Sequence, residues 1–372
     1  MRILITGGGT GGHIYPALAL VKRIKEEQPQ TEFLYVGTER GLESKIVPEY
    51  GLPFSPLKVE GFKRELTFRG LLYNFQTIRL FLQSISKAKK IIRQFSPDIV
   101  IGTGGYVAAP VCYAASKENV PTIIHEQNSV AGITNKFLAR HVSSIAICFE
   151  EARKQFKGYE NKVILTGNPR AQEVAGMVQT DCLKQFGLEP SKDTVLIFGG
   201  SRGARKINDS VLENSKELLT KKYQILFVTG ESHYEAIADR WASITGEVIN
   251  QGNVKIVPYI KNMPEVFASV SLVVSRSGAT TLAELTSLGV PSILIPSPNV
   301  TEDHQTKNAQ SLEIAGAAVL INESELNDTY LMETLDELMM NKTKREQMSR
   351  ESIRLGKQNA SDLLIQLMMD LV

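Results

Sequence analysis

The chain contains few cysteines, and they are widely spaced. It has 3 cysteines in 372 residues, at Cys112, Cys148 and Cys182, and no two of them form a CxxC pair. An odd number at this spacing excludes a disulfide framework and a cysteine zinc site, and it favours a reducing cytoplasm. There is also no HExxH motif or comparable ligand cluster. We therefore predict no bound metal and no cofactor.

Long apolar segments are also missing. The N-terminus runs from Met1–Thr6 directly into a glycine loop, so we expect no secretory signal. The longest uncharged stretch, 99–116, is broken by glycines at 102, 104 and 105 and by Pro110. It is better read as a buried strand, a turn and a helix than as a membrane span.

Net charge is nearly absent overall but is unevenly distributed. The formal net charge is +2, yet residues 1–165 carry a net +8 and the remainder a net −6. Most of the excess lies between Lys63 and Arg93, which holds eight basic residues and one acid. A basic half favours an anionic partner, either a membrane surface or a nucleic acid. No nucleic-acid motif accompanies the charge, which disfavours the second.

Apolar residues within this basic segment follow helical spacing. The predicted buried stripe consists of Leu71, Phe75, Ile78, Leu82, Ile85 and Ile92. Large apolar residues outside the stripe are Phe68, Leu72, Leu80 and Phe81. Cations mixed with such residues suit the headgroup region of an anionic bilayer, so we predict a membrane-docking surface. The alternative is an ordinary helix with one core-facing side.

Short apolar runs alternate with helical patterns through most of the chain. The strand candidates are 2–6, 32–36, 98–102, 122–125, 144–148, 194–198, 224–228, 255–258, 272–275 and 292–295. Runs rich in Ile, Val and Leu without alternation are typical of parallel strands covered on both faces. We therefore predict an α/β protein of two doubly wound domains, 1–166 and 167–354. A helix at about 355–372 is a candidate to pack back on the first domain.

Three glycine-rich turns follow predicted strands, at 7–12, 104–106 and 199–203. The first formally matches GxGxxG, which alone would indicate a dinucleotide, with Glu39 as a weak candidate for the acidic residue after the second strand. Such turns leave helix amides pointing at an anion. Three in corresponding places favour a phosphate-bearing ligand.

Polar residues occur where parallel strands should end and where ligands bind in α/β sheets. His125–Asn128 follows one strand, and Ser275–Thr281 follows another. Glu284 suits a ribose diol or is a solvated helix residue. Gln305 offers a donor and an acceptor to sugar hydroxyls.

His13 is the leading catalytic candidate. It directly follows the first glycine loop at a predicted helix start, where a neutral imidazole can accept a hydroxyl proton. The alternative is a structural histidine that caps the helix. For His125 the structural and catalytic interpretations are equally supported.

Taken in order, six segments of this chain resemble the MurG family of peptidoglycan glycosyltransferases. The resemblance covers essentially the whole chain. Its segments are Gly8–His13, Gly104–Val107, His125–Asn128, Gly199–Ala204, Ser275–Ala279 and Asp303–Gln305.

The resemblance implies a GT-B glycosyltransferase fold, with an N-terminal acceptor and membrane-binding domain, a C-terminal UDP-sugar domain and a cleft between them. It implies inverting transfer of N-acetylglucosamine from UDP-N-acetylglucosamine to the C4 hydroxyl of the muramoyl unit of undecaprenyl-linked lipid I. The products would be lipid II and UDP. The implied location is the cytoplasmic face of the bacterial membrane, as a peripheral protein.

The resemblance also assigns residues. His13 would be the general base, and Ile260 would meet uracil through its backbone. Glu284 would hold the ribose, and Gln305 the sugar hydroxyls. Arg170 and Ser201 would contact the diphosphate, although Arg170 directly follows Pro169 where the family has one residue between them. The remaining substrate-binding positions are Thr10, Gly11, Gly12, Tyr106, Asn128, Ala279, Thr280 and Thr281.

Other functions remain open at this point. One is a different GT-B enzyme, either with another lipid acceptor or a UDP-N-acetylglucosamine 2-epimerase. A nicotinamide-dependent oxidoreductase would explain the first glycine loop but not the third. A non-catalytic membrane scaffold would explain only the basic segment.

Overall fold

The computed structural model describes residues 1–60, 68–200, 203–326 and 329–372, with the side chains of 68–76, 78 and 301 excepted. The chain divides into two compact units. The first comprises Met1–Glu173 and Asn359–Val372, and the second comprises Val174–Gln358. The first unit thus extends past the predicted boundary at 166 and takes in the C-terminal segment.

Unit 1 contains a sheet of seven strands in the order β3-β2-β1-β4-β5-β6-β7, and every pairing is parallel. The strands are β1 (Arg2–Gly7), β2 (Glu32–Thr38), β3 (Phe54–Leu57), β4 (Ile99–Gly104), β5 (Thr122–Glu126), β6 (Ser144–Ile147) and β7 (Val163–Leu165). Its helices are α1 (Gly11–Glu27), α2 (Glu43–Glu49), α3 (Phe68–Phe95), α4 (Ala108–Lys117), α5 (Ile133–Leu138) and α6 (Pro169–Val174), the last of which ends at the unit boundary.

Unit 2 contains a parallel sheet of six strands in the order β10-β9-β8-β11-β12-β13. The strands are β8 (Thr194–Phe198), β9 (Gln224–Val228), β10 (Val254–Val257), β11 (Leu272–Ser275), β12 (Ser292–Leu294) and β13 (Ala318–Leu320). The helices that follow are α7 (Arg205–Glu213), α8 (Ser215–Leu218), α9 (Tyr234–Thr245), α10 (Met263–Phe267), α11 (Ala279–Leu288), α12 (His304–Ile314), α13 (Tyr330–Met340) and α14 (Lys342–Leu355). The final helix of the chain, α15 (Ala360–Met369), belongs to unit 1.

Helices cover both faces of each sheet, so alternate residues of a central strand enter different cores. In unit 1, Ile3 and Ile5 of β1 join a core with α1, whereas Leu4 joins a core with α4. In unit 2, Ile197 of β8 packs with α7 and α9, and Leu196 packs on the opposite face. The prediction of two doubly wound α/β domains is therefore confirmed.

The C-terminal helix α15 is anchored on α1. Leu364 and Met368 are buried in the core that contains the apolar side of α1. At the margin of this contact, Arg23 Nε donates to Asp362 at 2.7 Å. The ion pair raises the pKa of Arg23 and lowers that of Asp362. The apolar burial accounts for most of the attachment, since an ion pair this exposed contributes little to stability.

The buried face of α3 agrees only in part with the predicted stripe. Leu82 was expected on that stripe, but it is 62% exposed. Ile92 is buried as predicted, and Ile85 packs partly buried against the same core. The other buried positions are Thr77, Ser84 and Ala88, on the helix that packs against α4. Small side chains such as those of Ser84 and Ala88 permit close approach of the two helices. Lys63 and Arg64, at the start of the basic segment, lie outside the described residues.

No helix in the described ranges is long and apolar enough to span a bilayer.

Candidate functional site

The first two glycine loops of unit 1 pack directly against each other. They follow β1 and β4, which are neighbours in the sheet. The amide of Gly8 donates to the carbonyl of Gly104 at 3.2 Å. A Cβ at Gly105 would lie 2.4 Å from the Gly8 oxygen, and the φ of Gly105 is +84°. Only glycine fits at this crossing, for space and for backbone conformation.

His13 lies in the first turn of α1, on top of this crossing. Its Nδ1 is 2.8 Å from the Gly8 carbonyl oxygen and 3.4 Å from the Thr10 hydroxyl. A carbonyl can only accept, so in neutral His13 Nδ1 carries the proton and donates it to Gly8. The Nε2 atom is then the unprotonated nitrogen, which is the form a general base requires.

A buried carboxylate supports the first loop from beneath. Glu43, at the start of α2, is fully buried. It accepts from the amide of Gly9 at 2.9 Å, from the amide of Thr38 at 2.9 Å and from the Thr38 hydroxyl at 2.5 Å. The acid that contacts this loop is thus Glu43, whereas Glu39, the sequence candidate after β2, is exposed. Sequence reasoning missed Glu43.

The ring of His125 is hydrogen-bonded at both nitrogens. It is fully buried at the end of β5, where its Nε2 lies 2.9 Å from the Gly167 carbonyl oxygen and its Nδ1 is 3.0 Å from the Gln127 amide nitrogen. Both ring nitrogens are used in holding the adjoining loops. Burial lowers the pKa of His125 to about 4, so it is neutral near pH 7.

The loop after β5 is organised by another buried carboxylate. Glu126 accepts from the amide of Asn128 at 3.0 Å, from the amide of Gly132 at 2.8 Å and from the side chain of Asn135 at 2.8 Å. This places Asn128 at the same end of the sheet as the glycine loops. Tyr106, after β4, is 61% exposed there. The predicted positions Thr10, Gly11, Gly12, His13, Tyr106 and Asn128 therefore share one edge of unit 1.

Arg170 lies on the flank of α1. Its guanidinium pairs with Glu173, and its Cζ is 6.0 Å from the centre of the Tyr15 ring. With Leu18 and Lys22, these side chains line a cavity of about 350 Å³ in unit 1. A contact with a diphosphate stays a prediction.

In unit 2, α11 begins directly at the edge of the sheet. Gly278 is its N-cap, with extended backbone and no side-chain cap. The first-turn amides of Ala279, Thr280 and Thr281 have no acceptor one turn earlier in the helix, as at any helix start. The Thr280 Oγ1 atom is buried and has no hydrogen-bond partner in the described part of the chain. These groups together make a site suited to an anion.

Gln305 is tied to the same edge. The Ser277 hydroxyl donates to the Gln305 carbonyl at 2.8 Å, and the amide of Ser297 donates to Gln305 Oε1 at 2.9 Å. Glu284, on α11, is 7% exposed, which differs from a solvated helix residue. Ile260, after β10, is also buried. Ser201 lies outside the described residues.

In the described ranges, no group of three or more His, Cys, Asp or Glu side chains is arranged to hold a metal ion.

Family models match both units. The glycosyltransferase family 28 N-terminal domain matches residues 3–147, and the glycosyltransferase family 28 C-terminal domain matches residues 194–364. The first match contains His13 and the glycine loops of unit 1, and the second contains Ile260, Glu284 and Gln305.

Similar proteins extend over nearly the full chain. One from Lactiplantibacillus plantarum is 53% identical over 98% of each chain, and one from Bacillus cytotoxicus is 50% identical over 100% of each. Both are named UDP-N-acetylglucosamine–N-acetylmuramyl-(pentapeptide) pyrophosphoryl-undecaprenol N-acetylglucosamine transferase.

Solved structures give the same pattern. The crystal structure of MurG from Acinetobacter baumannii is 26% identical, with a TM-score of 0.77 over 99% of each chain. A UDP-GlcNAc 2-epimerase from Neisseria meningitidis is 16% identical, with a TM-score of 0.69 over 100% of each chain. The second likeness shows a shared fold alone.

Proposed function

Because the chain belongs to glycosyltransferase family 28, and within it to the MurG enzymes, we propose that it transfers N-acetylglucosamine from UDP-N-acetylglucosamine to undecaprenyl-linked lipid I. The chain is a glycosyltransferase, and the resemblance seen in its sequence is confirmed. The expected GT-B fold is confirmed as two Rossmann-like units. Membership of this family argues against the two other functions considered from the sequence, a nicotinamide-dependent oxidoreductase and a non-catalytic membrane scaffold.

The observation that carries the proposal is the hydrogen bond from His13 Nδ1 to the Gly8 carbonyl, which leaves Nε2 as the basic nitrogen. In the proposed reaction, Nε2 takes the proton from the C4 hydroxyl of the muramoyl sugar. The oxygen forms a bond to the anomeric carbon of the donor sugar, with inversion, as the bond from that carbon to the diphosphate breaks. Lipid II and UDP are the products.

Unit 2 is the proposed donor-binding unit. As UDP leaves, negative charge develops on its diphosphate, and preorganised amides at a helix start stabilise such charge. The N-terminus of α11, with the buried Thr280 hydroxyl, supplies groups of this kind. Glu284 and Gln305 are the proposed contacts to the ribose and the sugar, and Ile260 is the proposed backbone contact to uracil. Arg170 and Ser201 keep their proposed diphosphate role.

Unit 1 is the proposed membrane-docking unit. On α3, Arg79, Lys87 and Lys90 are exposed beside Leu82. In contrast, Lys89 and Arg93 both pair with Glu118 of α4, at 3.4 and 2.7 Å. A face of exposed cations with an exposed apolar side chain favours reversible binding to anionic lipids. We infer that the enzyme works as a peripheral protein on the cytoplasmic face of the bacterial membrane.

The proposal is tested by incubating the protein with radiolabelled UDP-N-acetylglucosamine, with and without a lipid I analogue. The expected result is labelled lipid and an equal amount of UDP, both dependent on the lipid. Release of UDP without lipid, accompanied by a sugar epimerised at C2, would instead identify a 2-epimerase. Transfer only to a different lipid would identify another acceptor.

A further inference from the structure

Glu43 and His13 contact opposite sides of a single peptide group. The amide hydrogen of the Gly8–Gly9 peptide is donated to Glu43 Oε2, at an N···O distance of 2.9 Å. The carbonyl oxygen of the same peptide lies 2.8 Å from His13 Nδ1. In a trans peptide, as this one is, the N–H and the C=O point in opposite directions. The carboxylate, the peptide and the imidazole therefore form one continuous hydrogen-bonded chain.

The space around Glu43 is shaped for its side chain. A Cβ built on Gly8 would lie 2.2 Å from a carboxylate oxygen of Glu43. A Cβ on Gly37 would lie 2.6 Å from the Glu43 Cγ, and one on Gly41 would lie 2.4 Å from both carboxylate oxygens. Side chains at these three positions would displace the carboxyl group. Glycine at all three keeps the carboxylate directly beneath the first loop.

The hydrogen-bond partners of Glu43 suit a carboxylate. All three groups that it contacts, the amides of Gly9 and Thr38 and the Thr38 hydroxyl, act as donors. A carboxylate is an acceptor only, so it satisfies all three together. In the described part of the chain, no Lys or Arg side chain pairs with it. Its hydrogen bonds hold the end of β2 to the first glycine loop, which leads into the helix that carries His13.

We propose that Glu43 is the positioning carboxylate of His13 and acts through the Gly8–Gly9 peptide. Its charge polarises the peptide, because hydrogen bonds in a chain strengthen one another. The Gly8 carbonyl thereby becomes a better acceptor, which fixes the Nδ1–H tautomer and favours the imidazolium that forms when Nε2 takes a proton. The same logic assigns an acid to orient the histidine in catalytic triads, with a peptide interposed here. The inference rests on the proposed base role of His13.

The test uses Glu43→Gln in the full-length protein. Glutamine has the same shape but presents an NH₂ group, which faces either the Gly9 amide or the Thr38 donors. This group cannot accept their hydrogen bonds, so the hydrogen-bonded chain to His13 is weakened or interrupted. We expect kcat for transfer to lipid I to fall about 10- to 100-fold, by analogy with the loss on removal of a carboxylate that orients a metal-bound histidine. The KM for UDP-N-acetylglucosamine should stay within about twofold, because unit 2 is unchanged.

A control variant tests whether loss of any carboxylate that accepts a backbone amide near β1 lowers kcat. Asp98 also accepts a backbone amide of the β1 segment, from Arg2 at 2.7 Å, but at the opposite end of the strand. Asp98→Asn should leave kcat within about twofold. If Glu43→Gln does not fold, Thr38→Val removes one donor from the carboxylate, and Thr38→Ser restores it. The valine variant should then lose activity, and the serine variant should keep it.

Two readouts separate positioning from general structural damage. In the His13→Ala background, Glu43→Gln should cause no further loss, since it acts through the missing imidazole. An additive loss would overturn the proposal. Nitrogen-15 NMR of the imidazole, assigned by comparison with His13→Ala, should show the Nδ1–H tautomer in the wild type and a mixture in Glu43→Gln. An unchanged tautomer would also overturn it.

The NMR readout does not depend on catalysis. If His13→Ala retains full activity, the proposed base role fails, while the tautomer still decides whether Glu43 positions His13.

Discussion

The imidazole of His13 rests against the Cα of Gly104. A Cβ built at Gly104 would lie 2.7 Å from His13 Cδ2 and 2.9 Å from Nε2. The second glycine loop, through Gly104, therefore limits where the His13 ring can lie. Gly104 also has a φ of +109°, a conformation that other residues rarely adopt.

This contact predicts that Gly104→Ala impairs catalysis as well as stability. The methyl group displaces the His13 ring, so we expect kcat to fall at least about tenfold, with a stability loss of about 1–3 kcal/mol from strain. Steady-state kinetics and thermal denaturation measure the two effects. Gly51→Ala is a matched control, because Gly51 has a φ of +70° but no atom within 4 Å of a built Cβ. Equal kcat losses in both variants would refute the contact's role.

The buried His125 predicts a pH dependence of stability. Its pKa is about 4 in the folded protein and about 6.5 when exposed. Between these values the unfolded chain binds a proton that the folded chain does not. Protonation of His125 in the unfolded chain therefore lowers the free energy of unfolding as the pH falls from 6.5 towards 4, by about 3 kcal/mol in total. Above pH 6.5 this loss is absent.

Thermal denaturation between pH 7.5 and 5 measures this effect. Wild type should lose more stability on acidification than His125→Gln, which has no imidazole to protonate. Parallel curves for the two proteins would show that another group controls the acid sensitivity.

Exposed cations on α3 predict how strongly unit 1 binds a membrane. Replacing Arg79, Lys87 and Lys90 together by glutamine should weaken binding to anionic vesicles about 100-fold, at about 1 kcal/mol for each charge. Vesicle sedimentation measures the affinity. Neutralising the exposed Lys216, Lys222 and Lys342 of unit 2 gives the same change in charge elsewhere. If both triple variants bind equally well, α3 is not the docking surface.

The location of Gln305 in unit 2 predicts that its substitution weakens binding of the donor substrate alone. Gln305→Ala should raise the KM for UDP-N-acetylglucosamine about tenfold and leave the KM for lipid I unchanged, since it removes a hydrogen-bonding amide in unit 2. Gln358→Ala is the control, because its side-chain amide also hydrogen-bonds to the backbone of unit 2, with Nε2 donating to the Ser287 carbonyl at 2.8 Å. A rise in the acceptor KM alone would contradict the assignment.

Much of the fold followed from apolar patterning. The strands 194–198, 224–228 and 272–275 were predicted with their observed bounds, because central strands buried on both faces are continuous runs of apolar residues. The edge strand β3 was missed, since it is short and contains Pro56. Strand β13 was missed because it has three residues. Short edge strands depend on the sheet beside them more than on their own composition.

The site was predicted less completely, for a physical reason. His13 follows the glycine loop after β1, at an end of the sheet where α/β proteins bind ligands. Gln305 lies in the first turn of a helix and has an amide suited to sugar hydroxyls, so the sequence alone marks both. Glu43 begins a short helix, where an acidic residue is usually solvated, so its sequence position does not mark it as buried. Its burial depends on glycines at 37 and 41 and on a tertiary contact with Gly9, which local patterning does not encode. The glycines were the only signal that pointed to a buried side chain there.

The most direct test of the account is the turnover of His13→Ala in the lipid I transfer assay, with folding checked by circular dichroism. A folded variant whose kcat is about 100-fold or more below wild type is the predicted result, since this is the usual size of a general-base contribution. A folded variant that makes lipid II at a near-wild-type rate would contradict it and remove His13 from the chemistry.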